Sequence, residues 1–352
     1  MASYLGQTIK LSVFGASRDR SVGVSIEGIP AGERIDLSEL QAFLDRRAPG
    51  RFAWTTARKE PDMPKFLSGL CDAVTTGEPL TAVIENKDAS QEQPRTVLRP
   101  GHADWPAYLK YGEVPAGGGK FSGRLTAPFC VAGGICLQLL KKRGIEVAAH
   151  ALTVADISDL PFDPLQPDLA ALSGRKFPTL DEAAGERMIA KILDAKAEEN
   201  SVGGIIECAV TGLPAGVGDH LWEGLESRIA QFVFGIPGVK GVQFGNGFAA
   251  AALKGSENND PICLKDGQIT AESNRSGGIL GGMATGLPII FTAAVKPTPT
   301  IGVTQRTVDT ADFTETEASF AGRNDACIVP RAVPVVEAAA AIVIFDAIYE
   351  TA

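Results

Sequence analysis

The chain has 352 residues, 45% of them hydrophobic and 21% charged, with a net charge of −9. That is enough apolar material for a large core in one domain or two, and an acidic chain with no basic run excludes nucleic acid as a general partner. The opening MASYLGQTIK has no apolar stretch behind a basic region, and no segment is expected to approach the roughly 20 apolar residues of a membrane span, so no membrane contact and a cytoplasmic setting are expected.

In chain order, Leu37, Leu40 and Leu44 are spaced as one helical face that ends in Arg46 and Arg47. The stretch RPGHADWPAYLKYGEVPAGGGKFSGRLT (99–126) sets His102 beside Asp104, then Gly117 to Gly119, then Lys120, Ser122 and Arg124. Consecutive glycines let the backbone approach a ligand and reach positive φ, and the following cation and hydroxyl suit an anion. The apolar run Ala127 to Leu140 predicts that this loop opens onto a helix N-terminus. Ile145 to Val154 reads as a strand, as does the alternation of Ile206, Cys208 and Val210 with Glu207 and Ala209, the period of a half-buried strand. Thr179 and Glu182 are spaced as a capping box for a helix running to about Glu199. Trp222, Leu225, Ile229 and Phe232 form an apolar stripe for which Asp219 is a plausible cap. Val335 to Ile348 is apolar on nearly all sides and reads as a buried helix.

The cysteines, Cys71, Cys130, Cys136, Cys208, Cys263 and Cys327, form no CxxC pair and are expected to be reduced packing residues. The histidines, His102, His150 and His220, are far apart and lack ligand spacing, so no metal site is expected. Strands interleaved with helices exclude the all-α and all-β classes without fixing a topology.

The glycine stretch and further blocks carry a resemblance. These are GQTIKLSVFGAS at the start, DRRAPG (45–50), RKEPD (58–62), TGLPAGVGD (211–219), GVKGVQFGNGF (238–248) and GSENND (255–260). NRSGGILGG (274–282), KPTPTI (296–301) and GRNDACIVPRAVPVVEA (322–338) complete the series. In this order they resemble the chorismate synthase family over nearly the whole chain.

The resemblance implies an α+β fold, a chorismate-synthase-like β-α-β sandwich with helices packed between sheets, as a single domain over residues 1–352 and a homotetramer. It implies a lyase of the shikimate pathway acting on a small anionic substrate. The reaction is the anti-1,4-elimination of phosphate from 5-enolpyruvylshikimate 3-phosphate, with reduced FMN required although no net redox change occurs. By matching blocks, the flavin cradle would be Lys120, Phe121, Ser122, Asn274, Gly278, Lys296, Pro297, Thr298, Pro299, Thr300 and Arg323. His102 matches the histidine that interacts with the flavin, and Asp325 the aspartate placed near flavin N5; Ser17 and Ser122 match site serines. Arg46, Arg47, Arg124 and Arg331 are candidate substrate cations, Arg47 being favoured over Arg46 as the one facing the site. For either alone, a helix-ending role beside the dipole is an equal reading.

Three places depart from the family pattern. GESHG is replaced by Gly15-Ala16-Ser17-Arg18-Asp19, which puts Arg18 where the family has a proton-donating histidine; arginine can hold a phosphate but not readily protonate it. RHDP becomes Arg323-Asn324-Asp325-Ala326, and SxDY becomes Ser90-Gln91-Glu92-Gln93. A working lyase, a diverged paralogue binding flavin or a cyclohexene phosphate with altered chemistry, and a non-catalytic protein that keeps the fold are the readings left open.

Overall fold

The computed structural model describes residues 2–87, 95–320 and 322–350; Ser90 to Gln93 lie outside them. The first sheet is built from β1 (Ala2–Leu5), β2 (Lys10–Gly15), β3 (Ser21–Glu27), β4 (Pro64–Ser68) and β5 (Leu80–Glu85), all antiparallel, in the order β1-β2-β3-β5-β4. The second is built from β6 (Glu146–Val154), β7 (Ile157–Ser158), β8 (Gly204–Thr211), β9 (Val239–Phe244) and, beyond the hairpin of β10 (Ile262–Lys265) and β11 (Gln268–Ala271), β12 (Ile289–Val295). Its order is β9-β12-β8-β6-β7, again antiparallel. The outlying pair β13 (Gln305–Asp309) and β14 (Thr314–Ala318) forms a separate ribbon.

Between the sheets lie α1 (Leu37–Arg47), α3 (Thr126–Lys141), α5 (Leu225–Phe234) and α6 (Val329–Glu350), while α2 (Asp104–Tyr111) and α4 (Glu182–Ala197) are peripheral. Helix α3 packs on β3 and β5, and α6 on β6 and β8, so each covers one sheet and the two meet in the middle. They approach closely at Gly133, where a Cβ would come within 2.2 Å of the Ala338 Cβ. This is the β-α-β sandwich that the resemblance implied.

Local rules explain the helix ends. Asp36 caps α1 by accepting from Ser38 N at 2.8 Å and Glu39 N at 3.0 Å. Leu40 and Leu44 are buried while Leu37 is exposed, so the buried face is narrower than the leucine spacing predicts. Two predicted caps are corrected. Asp181, not Thr179, caps α4, and Thr179 is instead buried beside Gly185. Helix α5 begins after Gly224 with no side-chain cap; Asp219 bonds His220, and Trp222, 82% exposed, lies outside the stripe.

Strand β8 is buried on both faces rather than one, because Glu207 points into a second polar core. There it accepts from Phe162 N at 2.7 Å and meets His150 Nε2 at 2.9 Å, while His150 Nδ1 meets Asp159 at 3.0 Å. Two helical stretches, Gly123–Lys141 and Val329–Tyr349, reach the length and hydropathy of a membrane span, which corrects the expectation that none would. Both are core helices here, packed between the sheets. Cys130, Cys136, Cys208 and Cys327 are buried, and burial pushes the Cys130 and Cys327 thiols up to about 12. Cys71 is exposed and Cys263 half-buried, so these two are not packing residues.

Helix α6 carries two carboxylates inside the sandwich. Glu337 takes both terminal nitrogens of Arg46, at 2.7 and 2.8 Å, and Ala149 N at 2.9 Å. Asp346 accepts the backbone N–H of Gln7, Thr8 and Ile9 at 3.1, 2.7 and 2.7 Å, and also pairs with Arg228.

Candidate active site

A cavity of about 580 Å³ opens where the end of α1, the residues around His102, the glycine segment, the loop after α5, the KPTPT segment and the first turn of α6 converge. Among the described residues, six arginines (47, 58, 99, 124, 323 and 331) and two lysines (120 and 296) line it, against one carboxylate, Asp325. Such a wall selects anions even on a chain with net −9, because local geometry, not net charge, sets bidentate guanidinium contacts.

The cations are held in place from behind. Arg47 gives Nη1 to Asp62 at 2.5 Å, Nη2 to Gly123 O at 2.9 Å and Nε to Thr126 Oγ1 at 3.1 Å. Arg124 gives Nη1 to the same Asp62 and Nε to Asn86 Oδ1 at 2.7 Å. Burial pushes the Asp62 carboxyl up, but Arg47 and Arg124 more than offset this and hold it below its ordinary value. Arg58 is paired with buried Glu60 at 2.8 Å. Arg331 pairs with Asp325 and gives Nε to Arg47 O at 2.9 Å, while Asp325 also accepts Thr56 N at 2.9 Å. Asp325 therefore enters the cavity with both oxygens already engaged.

His102 stands at the opposite wall. Its Nδ1 lies 2.6 Å from Asp104 Oδ1 and 3.1 Å from Arg99 Nη2. The Lys296 ammonium donates to Gly101 O, tying the KPTPT segment to this wall, and burial lowers its pKa. The Lys120 ammonium sits 3.7 Å above the Tyr111 ring. Ser122 Oγ accepts Arg124 N at 3.2 Å and so caps the turn Gly123–Leu125.

The structure thus brings together His102, Lys120, Phe121, Ser122, Arg124, Arg47, Lys296, Pro297, Thr298, Pro299, Thr300, Arg323, Asp325 and Arg331. It does not bring Arg46 there: that guanidinium is turned to Glu337, about one side-chain step around the helix from Arg47. Asn274 and Gly278 also lie elsewhere. Asn274 donates to Pro164 O and Pro288 O, both at 2.8 Å, and a Cβ on Gly278 would meet Pro288 O at 2.3 Å. Ser17 and Arg18 do not line the cavity but adjoin its glycine segment. Ser17 N donates to Gly119 O at 3.1 Å, and Ser17 Oγ is buried with no hydrogen-bond partner among the described residues.

The chorismate synthase family model matches residues 9–349. This chain belongs to the chorismate synthase family. Its relatives include the chorismate synthases of Lancefieldella parvula (43% identical, covering 99% of this chain and 97% of the relative) and Dehalococcoides mccartyi (43%, 98% and 96%). That of Thermococcus kodakarensis is 43% identical over 97% of this chain and 96% of its own. A solved chorismate synthase superposes with a TM-score of 0.78 at 26% identity, over 99% of this chain and 93% of that one.

Within the chorismate synthase blocks, several residues in the cavity wall and behind it have no role assigned by the sequence alone. Asp62 and Glu60 sit in RKEPD, where acids next to Arg58 and Lys59 signalled ion pairs. Arg99 and Asp104 flank His102 in RPGHAD, and their spacing of two and three residues was the signal. Nothing in the sequence marked Thr56 or the turn Gly235 to Gly238.

Proposed function

We propose that this chain is a carbon–oxygen lyase that converts 5-enolpyruvylshikimate 3-phosphate to chorismate, with FMN as the flavin that the family requires. The observation that carries this is the cationic cavity assembled from the family's own blocks. The substrate bears one phosphate and two carboxylates, and the eight-cation wall suits these groups and a flavin phosphate together. Apolar Pro297, Pro299, Ile328 and Val335 offer the planar part of a ligand a dry surface. Reduced flavin would lend electron density to the substrate ring while phosphate departs. Arg47, Arg124 and Arg331 hold anionic groups, His102 presents an imidazole edge, and Asp325 is placed to receive a proton once substrate loosens its bonds to Thr56 and Arg331.

The second reading rests on Arg18, which stands where the family has a histidine. It treats the chain as a paralogue that binds flavin or a cyclohexene phosphate with altered or lost chemistry. An anaerobic assay with reduced FMN, following chorismate and phosphate release together, separates the two. Chorismate formed in step with phosphate supports the first; calorimetric binding of FMN and the phosphate ester without turnover supports the second.

The assembly is read as a homotetramer from the family likeness. The hairpin β10–β11 supports an association surface, since Ile262, Leu264 and Ile269 are 77%, 75% and 77% exposed, with Leu264 paired across to Ile269.

A further inference from the structure

The edge of His102 turned away from the cavity is set by a buried pair. Asp104 is fully sealed from solvent, and its carboxylate takes Arg99 in a fork, Nε at 2.7 Å on Oδ2 and Nη2 at 2.8 Å on Oδ1. The same carboxylate accepts Arg99 N at 3.1 Å. Arg99 Nη2 has two hydrogens, and two oxygens take them: Asp104 Oδ1, and Gly117 O at 2.5 Å. No hydrogen of Nη2 is left for His102 Nδ1. An ionised carboxylate only accepts, so the 2.6 Å contact requires the proton on Nδ1.

We propose that Asp104 is a positioning residue, fixing His102 as the tautomer with its proton on Nδ1 and Nε2 presented to the cavity, and that Arg99 locks this setting to the glycine segment at Gly117. The proposal rests on the reading of His102 as a participant in the reaction. The carboxylate is kept ionised because the hydrogen bonds from Arg99 and His102 outweigh the upward push of burial.

In Asp104→Asn the amide carbonyl stays with Arg99 and the NH₂ turns to Nδ1, which must then accept, moving the proton to Nε2.

The test is ¹⁵N NMR of histidine-labelled protein without cofactor, with His102 assigned through His102→Gln. The neutral wild-type ring should carry its proton on Nδ1. In Asp104→Asn it should carry it on Nε2. In the anaerobic assay kcat should fall about 10–100-fold with KM within about twofold. A wild-type ring protonated on Nε2, or a variant with an unchanged tautomer, would overturn the proposal. If the variant does not fold, the wild-type tautomer decides. If the tautomer results hold in a protein that makes no chorismate, Asp104 keeps its positioning role and the lyase reading fails instead.

Discussion

The Asp62 carboxylate accepts Nη1 of Arg47 at 2.5 Å with both side chains sealed from solvent, so one anion behind the cavity anchors a cation in front of it. Arg124 shares the same carboxylate. Removing the anion takes the carboxylate from buried Arg47 and leaves Arg124 with Glu60 at 4.0 Å, and Asp62→Ala should cost about 3–5 kcal/mol in urea unfolding. Asp62→Asn should cost less, since asparagine tolerates the φ of 48° found there. Arg47 and Arg124 hold the folded pKa below the unfolded value of about 3.9. The contribution is therefore present above that pH and lost as pH falls through the folded pKa. An Asp62→Ala variant as stable as the parent at pH 7 would refute this account.

His150 predicts the opposite pH trend. Burial pulls its pKa down, but hydrogen bonds to Asp159 and Glu207 lift it above its ordinary value. A raised folded pKa stabilises below the unfolded value of about 6.5 and loses that contribution as pH rises through the folded value. Urea stability should decline on the alkaline side in the parent and be flatter in His150→Gln. Parallel pH profiles for the two proteins would show that the imidazole is not charged in this site.

Arg18 packs against the glycine segment: a Cβ on Gly117 would lie 2.7 Å from its Nε. On the lyase reading it would steady the departing phosphate from beside the glycine segment without donating a proton. Restoring an acid at this place should raise chorismate formation in Arg18→His by about tenfold or more, given that general acids contribute ~10²–10⁴-fold. His102→Ala should lower it. An inactive parent left inactive by Arg18→His would commit the site to another reaction.

A charge on the apolar hairpin face should disturb assembly. If the proposed homotetramer forms through this face, Leu264→Lys is expected to shift sedimentation to smaller species at micromolar concentration with the subunit's secondary structure kept, because the side chain is exposed on the single chain. A parent that sediments as a clean monomer would remove the tetramer.

Much of the sandwich was legible because its core helices are long and apolar on nearly every side; Ala127 to Leu140 and Val335 to Ile348 are largely buried between the sheets. The cavity lining was legible through motif blocks, not through chemistry readable from any one segment. What escaped was decided by distant partners. Arg46 and Arg47 are adjacent in sequence, and only Glu337, 291 residues away from Arg46, separates their fates. Glu207 reads as the solvent side of a strand until Phe162 and His150 cover it. The α4 cap slipped because Thr179 and Asp181 both satisfy the local pattern, and which residue turns toward the helix is a tertiary outcome.

The clasp between Asp346 and the backbone of Gln7, Thr8 and Ile9 sets an order of events in synthesis. Ile9 and Asp346 are 337 positions apart, so the turn joining β1 to β2 emerges from the ribosome long before the carboxylate that satisfies its amides. Until α6 arrives, the amides of that turn lack the carboxylate and α3 lacks the helix it packs against. Maturation of this chain is thus a late, whole-length event, and lesions in its final helix should surface as nascent-chain aggregation rather than as a weakened finished enzyme.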